Sequence, residues 1–152
     1  MRALLQRVKR ANVSIDGSLN SSIGRGALIF LGVAQTDTVQ DATYLAHRCG
    51  NLRMFEDIAG KMNLSLKDVN GSALVVSQFT LVADTRKGHR PSFGDAAPPE
   101  IAEQLYREFV TSLTAEVGES AVRTGIFRAM MDVELVNDGP VTILIDSKNI
   151  ST

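Results

Sequence analysis

The sequence predicts an α+β fold: a curled, mostly antiparallel β-sheet, partly closed like a barrel, with two main helices in a single domain spanning residues 1–152. Three observations carry this expectation. Alternation of apolar and polar residues begins at Leu4 and returns along the chain, as half-buried strands require. Two segments alone show helical spacing of apolar residues. Asp-Gly and Asn-Gly pairs separate several strand candidates. A chain of 152 residues buries roughly 70% of its unfolded surface, so it needs no disulfide or metal to hold a core.

The elements follow in order. Leu4, Gln6 and Val8 alternate with Leu5, Arg7 and Lys9, and the strand continues through Val13 and Ile15 to Asp16-Gly17. Asp-Gly suits a hairpin turn because both central residues need positive φ. The apolar run 27–34 follows Gly24-Arg25-Gly26 and reads as a fully buried strand. Val39, Ala42, Leu45, Ala46 and Cys49 share one helical face, with Gly50 expected as the stop. Residues 51–56 and 62–69 read as extended. Asn70-Gly71 then turns the chain into a β-rich run, 72–83, which places Ser77-Gln78-Phe79-Thr80 inside a strand. Pro98-Pro99-Glu100 opens the second helix, whose stripe is Ile101, Leu105, Phe109 and Leu113. Two last strands, 131–136 and 141–145, are joined by Asn137-Asp138-Gly139-Pro140.

Composition narrows the function. Apolar residues make up 44% and charged residues 22%, which excludes a disordered chain. The run 27–34 is too short to cross a bilayer, and scattered basic residues interrupt any signal-like apolar centre near Met1, so a cytoplasmic location is expected. The lone Cys49 excludes an internal disulfide and a multi-cysteine zinc site, and reads as a small core residue. Sixteen Lys plus Arg against seventeen Asp plus Glu give a net charge of −1, which argues against a general nucleic-acid binder but leaves room for one basic loop. Gly24-Arg25-Gly26 lacks the later glycine and the Lys-Ser/Thr of a phosphate loop. His47 lies off the helical stripe and reads as solvated, while His89 sits among cations that disfavour its proton and any metal. No metal and no cofactor are expected.

Three segments remain. Ser77-Gln78-Phe79-Thr80 crowds two hydroxyls and an amide into an apolar run; on periodicity it is a half-exposed antiparallel strand, with Ser77 and Phe79 on one face and Gln78 and Thr80 on the other. Thr85-Arg86-Lys87-Gly88-His89-Arg90-Pro91-Ser92-Phe93 is either a solvated charged loop or a phosphate-holding one. In Asn137-Asp138-Gly139-Pro140-Val141-Thr142 the proline removes a ladder donor where a returning strand should begin.

Together these segments resemble one family, the D-aminoacyl-tRNA deacylases, also called D-tyrosyl-tRNA deacylases. The likeness runs from Met-Arg-Ala-Leu-Leu-Gln-Arg-Val through Asn-Leu-Arg-Met-Phe, Gly-Lys-Met-Asn-Leu-Ser, Val-Val-Ser-Gln-Phe-Thr-Leu and Arg-Pro-Ser-Phe to Leu-Val-Asn-Asp-Gly-Pro-Val-Thr. Ser-Gln-Phe-Thr paired with Asn-x-Gly-Pro-Val-Thr is its most specific part. The resemblance implies hydrolysis of the ester joining a D-amino acid to tRNA, and of glycine mischarged on tRNA-Ala. It also implies a homodimer with active sites at the interface and tRNA as partner.

In that family the Gly-Pro bond is cis and reaches into the partner's site to block an L side chain. This role falls here on Gly139 and Pro140, with Arg7 as their brace. Ser77, Gln78, Phe79 and Thr80 become the catalytic wall, with main-chain N–H groups near Phe79 and Thr80 as oxyanion donors. Thr80 as nucleophile, without a base nearby in sequence, is one alternative; assistance from the ribose 2′-hydroxyl is the other. Arg86, Lys87 and Arg90, dense in charge within an otherwise neutral chain, are expected to meet the acceptor-end phosphates, and Phe127 is expected to join them in binding tRNA. The family's Phe-Gly/Ala-Ala-Asp-Met appears here as Phe127-Arg128-Ala129-Met130-Met131, which alters the rim of the adenosine pocket. A dimeric, non-catalytic module that binds RNA ends is the alternative function; a metal-dependent esterase lacks clustered ligands.

Overall fold

The computed structural model describes residues 1–149. Its first strand, β1 (Arg2–Ile15), turns at Asp16 (φ 50°) and Gly17 (φ 77°) into β2 (Ser18–Ile23), as the Asp-Gly signal predicts. The apolar β3 (Gly26–Gly32) leads to α1 (Val39–Asn51), then to the small β4 (Phe55–Glu56) and β5 (Met62–Leu64). Next come β6 (Ser72–Ser77), a 3-10 turn (Phe79–Val82), α2 (Pro99–Val117), β7 (Val122–Thr124) and β8 (Asp132–Asp146).

The sheet runs β2-β1-β3-β6-β7, with β8 on the other side of β1. It is mixed. β1 pairs antiparallel with β2, β3 and β8, while β3, β6 and β7 are parallel to one another. A parallel pair needs a long crossover, and the two helices are those crossovers. Two right-handed crossovers stepping in one direction leave both helices on the same face of the sheet. There Ala42, Leu45, Phe109 and Leu113 meet Ala3, Leu5, Ile29 and Val75 in the main core. The opposite face curls around Val8, Val13, Leu28, Leu74 and Val76. The curl brings β2 to β7, where the Ser21 hydroxyl donates to the Thr124 carbonyl oxygen at 2.9 Å. Both faces of β3 and β6 are therefore covered, which is why these strands read as continuous apolar runs.

One extra residue in β1 lets it serve both cores. Val8 pairs with Asn137 but Arg10 with Val136, so Lys9 is inserted and the alternation changes sides. Ala3 and Leu5 accordingly face the helices, whereas Ala11 and Val13 face the inside of the curl.

Several expectations are corrected. Gly50 does not stop α1, which runs on to Asn51; it lies inside the helix because a Cβ there would sit 3.1 Å from the Cβ of Glu116 on α2. Extended structure within 51–56 shrinks to β4, and within 62–69 to β5, since Ser65 starts a turn closed by Val69 N–H to the Ser65 carbonyl at 3.2 Å. The run 72–83 is extended only to Ser77. The segment 131–145 is not a pair of strands: β8 stays antiparallel to β1 along its whole length. Ile101 is exposed, and the buried stripe of α2 is Ala102, Leu105, Tyr106, Phe109 and Leu113. Cys49 is buried, where loss of hydration pushes its thiol well above the usual range. His47 is exposed, with its Nδ1 2.9 Å from Glu116 Oε1.

Met1 is held by a buried ion pair and by a hydrogen bond to a residue near the other end of the described chain. The Met1 ammonium donates to Asp37 Oδ1 at 2.6 Å and to Ser147 Oγ at 2.7 Å, and Ser147 donates in turn to Asp41 Oδ1 at 2.7 Å. Burial pushes the Asp41 carboxyl up, but hydrogen bonds from Lys148, Ser147 and Thr38 outweigh it and hold the group below the usual carboxylate range. No helix among the described residues is long and apolar enough to cross a membrane.

Candidate active site

β6 ends at Ser77 because Gln78 leaves the strand plane (φ −144°, ψ 82°) and the next residues wind into the 3-10 turn. Gln78 still donates its N–H to the Leu31 carbonyl at 2.7 Å, which anchors the turn to β3. The expected alternation of faces across Ser77 to Thr80 is thus overturned, and with it the antiparallel pairing, since β6 lies parallel to β3. The consequence is chemical. Opening N–H groups of a helical turn have no partner inside it, and those of Phe79 and Thr80 donate to nothing among the described residues.

Beside this turn lies a cavity of ≈ 320 Å³ at the C-terminal ends of the parallel strands, the usual place for ligands in such sheets. Ser77, Gln78 and Phe79 form one wall, and Phe127 to Met131 the other. Tyr106 lies at its base, where its hydroxyl donates to the Val75 carbonyl at 2.9 Å and its ring centroid stands 5.7 Å from that of Phe127. Burial raises the Tyr106 hydroxyl above its ordinary range, so it stays protonated. Thr80 is exposed just outside the lining; its hydroxyl accepts from the Gln78 amide and has no histidine, lysine or carboxylate partner among the described residues.

The basic loop reaches this site through an aromatic contact. Phe93 meets Phe79 edge-on, with centroids 5.0 Å apart. Paired backbone hydrogen bonds between Asp84 and Ser92, at 2.8 and 2.9 Å, close the loop between them. Arg86 folds back on Asp84 in a two-pronged pair, at 2.9 Å from Nε and 2.8 Å from Nη2. Lys87 and Arg90 are exposed.

Gly139 and Pro140 stand elsewhere. Residues 138–141 of β8 all face the single residue Arg7 of β1, because Gln6 pairs with Thr142 and Val8 with Asn137. The strand therefore bulges outward and returns without breaking its ladder, which is how a proline fits within it. Asn137 closes the base of the bulge: its Oδ1 accepts from Val141 N–H at 3.1 Å and its Nδ2 donates to Thr142 Oγ1 at 3.0 Å. The Gly139-Pro140 peptide is cis, and Gly139 has a φ of 130°. Arg7, 6% exposed, donates from Nε to the Asp138 carbonyl at 3.0 Å and from Nη1 to the Met54 carbonyl at 2.8 Å.

Bulge and pocket do not meet within one chain. Ser77 pairs with Leu31, and Leu31 with Ala3, so the pocket is level with Ala3. The bulge is level with Arg7, four residues and roughly 13 Å further along β1. Sequence reasoning missed Tyr106, Met54 and the stapling role of Asn137. Tyr106 carried a weak signal, since it sits one place from the Leu105 stripe; the backbone acceptor of Met54 carried none.

A cavity opens at the end of a mixed sheet, and the relatives define the class of the protein. A family model described as D-Tyr-tRNA(Tyr) deacylase matches residues 4–146. A D-aminoacyl-tRNA deacylase of Anaeromyxobacter dehalogenans is 58% identical over 99% of both chains. That of Thermomicrobium roseum is 60% identical, over 97% of this chain and 94% of its own. The solved c-Myc DNA unwinding element binding protein superposes with a TM-score of 0.92 at 39% identity, covering 96% of this chain and 98% of its own. A probable eukaryotic D-amino acid tRNA deacylase shares the fold, with a TM-score of 0.83 at 16% identity. The chain belongs to the D-Tyr-tRNA(Tyr) deacylase family, and it is a hydrolase.

Proposed function

We propose that this chain hydrolyses the ester between a D-amino acid and the terminal adenosine of tRNA, and that it also accepts glycine mischarged on tRNA-Ala. Water adds to the ester carbonyl, the carbonyl oxygen takes up negative charge, and collapse releases the amino acid and a free ribose hydroxyl. The observation that carries this reading is the pair of unengaged N–H groups on Phe79 and Thr80 beside the pocket, donors suited to that developing charge. No base touches Thr80 among the described residues, so the ribose 2′-hydroxyl of the substrate, rather than this side chain, orients the attacking water.

Chirality is read by the bulge of a second copy. In one chain the exposed Gly139 and Pro140 are offset from the pocket, and β8 pairs only with β1 among the described residues, leaving its outer edge open. Main-chain atoms of that bulge are rigid and indifferent to side-chain identity, so they suit a filter that excludes the L substituent. Glycine has no substituent to exclude. Lys87 and Arg90 meet phosphates of the acceptor end, and Phe127 lines the nucleoside pocket.

The test is deacylation of D-Tyr-tRNA and L-Tyr-tRNA with and without chelator. Faster loss of the D ester that survives chelation is expected. Equal rates, or loss of activity on chelation, would overturn the reading. Mixing a Gly139→Ala protein with one altered at Phe79 tests the shared site: dimers that regain activity require one bulge and one pocket from different copies.

A further inference from the structure

We propose that Arg128 binds the 5′-phosphate of the nucleotide whose base and sugar fill the pocket, so that the site recognises a nucleoside monophosphate unit and not a bare nucleoside. This rests on the pocket being the nucleoside site, as proposed above. Of the residues that line the cavity, Arg128 alone carries a formal charge. It is exposed, which puts it at the mouth and not in the interior. Arg2, Arg86 and Arg107 are engaged by Asp146, Asp84 and Glu103, whereas Arg10, Arg48 and Arg90 are as unpartnered as Arg128 among the described residues but line no part of this cavity. Arg128 has no hydrogen-bond or ion-pair partner among the described residues.

Its backbone points the same way. Arg128 has a φ of 65°, the left-handed region that a non-glycine residue seldom occupies. The turn around it is held by Ala129 N–H to the Ile126 carbonyl at 3.2 Å, a contact that requires no arginine between them. Unfavourable backbone geometry at the edge of a cavity commonly marks a residue kept for what its side chain binds. The cavity, at ≈ 320 Å³, lies at the small end of ligand pockets and suits one base and sugar. The first charge met on leaving a nucleoside towards the preceding residue of an RNA chain is its 5′-phosphate. A guanidinium pairs with two phosphate oxygens at once. Arg128 is on this account a binding and positioning residue.

Binding of adenosine and of adenosine 5′-monophosphate, measured by calorimetry at low salt, tests this. The wild-type chain should bind the monophosphate about tenfold more tightly, the effect of one charge-assisted pair. Arg128→Gln should lose that advantage while its affinity for adenosine stays within about twofold, and Arg128→Lys should keep part of it. Arg128→Gly removes the cation and the backbone strain together, so it should lose the advantage with no fall in thermal midpoint. In turnover of D-Tyr-tRNA, Arg128→Gln should raise KM several-fold and leave kcat within about twofold. Adenosine binding as tightly as the monophosphate to wild type, or an advantage that persists in Arg128→Gln or Arg128→Gly, overturns the proposal alone. If neither compound binds, the pocket is not a nucleoside site and both readings fall.

Discussion

The guanidinium of Arg7 donates from Nε to the carbonyl oxygen of Asp138 at 3.0 Å, tying the middle of β1 to the projecting bulge of β8. Its Nη1 is committed to the Met54 carbonyl at 2.8 Å, just before β4. Three stretches distant in sequence meet on one buried side chain. The position of the bulge is therefore a property of Arg7 as much as of Gly139-Pro140.

Arg7→Ala strands two backbone acceptors, so it should destabilise the chain by about 2–4 kcal/mol in urea denaturation. Arg7→Lys keeps the charge but not the fork, and should recover less than half of that loss. Recovery to wild-type stability by lysine would show that charge alone holds the bulge.

Gly139→Ala introduces a Cβ 2.9 Å from Arg7 Nη2 and 2.9 Å from Val141 Cγ2, at a φ of 130°. We expect a loss of about 1–3 kcal/mol and a displaced bulge. Sedimentation must first establish the assembly state of the variant beside that of wild type. With that unchanged, the ratio of D to L hydrolysis should fall; full retention would move chiral selection to the Ser77 to Thr80 wall.

Thr80→Ala removes a hydroxyl whose one hydrogen-bond partner among the described residues is the Gln78 amide. If main-chain donors and the substrate ribose carry the reaction, substantial deacylation remains. Complete loss, with tRNA binding intact, would make Thr80 the nucleophile. A substrate ending in 2′-deoxyadenosine gives the complementary result, with turnover expected to collapse.

Neutralising Lys87 and Arg90 together should flatten the slope of log binding constant against log salt by about 1.5, at 0.7–0.9 per phosphate contact. Arg86 is already held by Asp84 in a two-pronged pair, so Arg86→Ala should leave the slope nearly unchanged. Equal slopes for all variants would return the loop to a solvated role.

Hydrogen bonds from His47, then Asn51 and Lys67, hold the Glu116 carboxyl at about 2, below its ordinary 4.5. A depressed carboxyl contributes stability above its unfolded-state value and loses it as the pH falls towards the folded one. Glu116→Gln should therefore lower the urea midpoint at pH 7, and the gap to wild type should close between about pH 4.5 and 2. A gap that does not change over this window would show that the contact between α1 and α2 does not depend on this charge.

Local pattern was enough for the hairpin at Asp16-Gly17, the buried run of β3 and the proline-led start of α2, because turn chemistry and apolar period act over a few residues. It also located the segments 77–80, 85–93 and 137–142. It failed after Ser77, where polar Gln78 and Thr80 alternate with apolar Phe79 and Leu81 although the chain has already left the sheet. What ends the strand is the 3-10 turn that Leu81 N–H closes on the Gln78 carbonyl at 3.2 Å, seated on the distant Gly32 of β3, where an added Cβ would meet Leu81 Cβ at 2.9 Å. Gly50 misled for a similar reason, since its lack of a side chain serves the approach of Glu116 on α2 and not the end of α1.

The sequence by itself determined the fold class, the two helices and the family, since each resides in residue types at short spacings. Only the tertiary structure decided that 132–146 is one strand with a four-residue bulge, because strand identity depends on pairing with β1, and a proline in sequence cannot distinguish a turn from a bulge. The tertiary structure also brought Phe127 and Arg128 to the wall opposite Ser77, and withdrew Gly139 and Pro140 from that pocket by four residues of register. Distances of this kind are set by how strands align across a sheet, and strand order is a long-range property that no local period encodes.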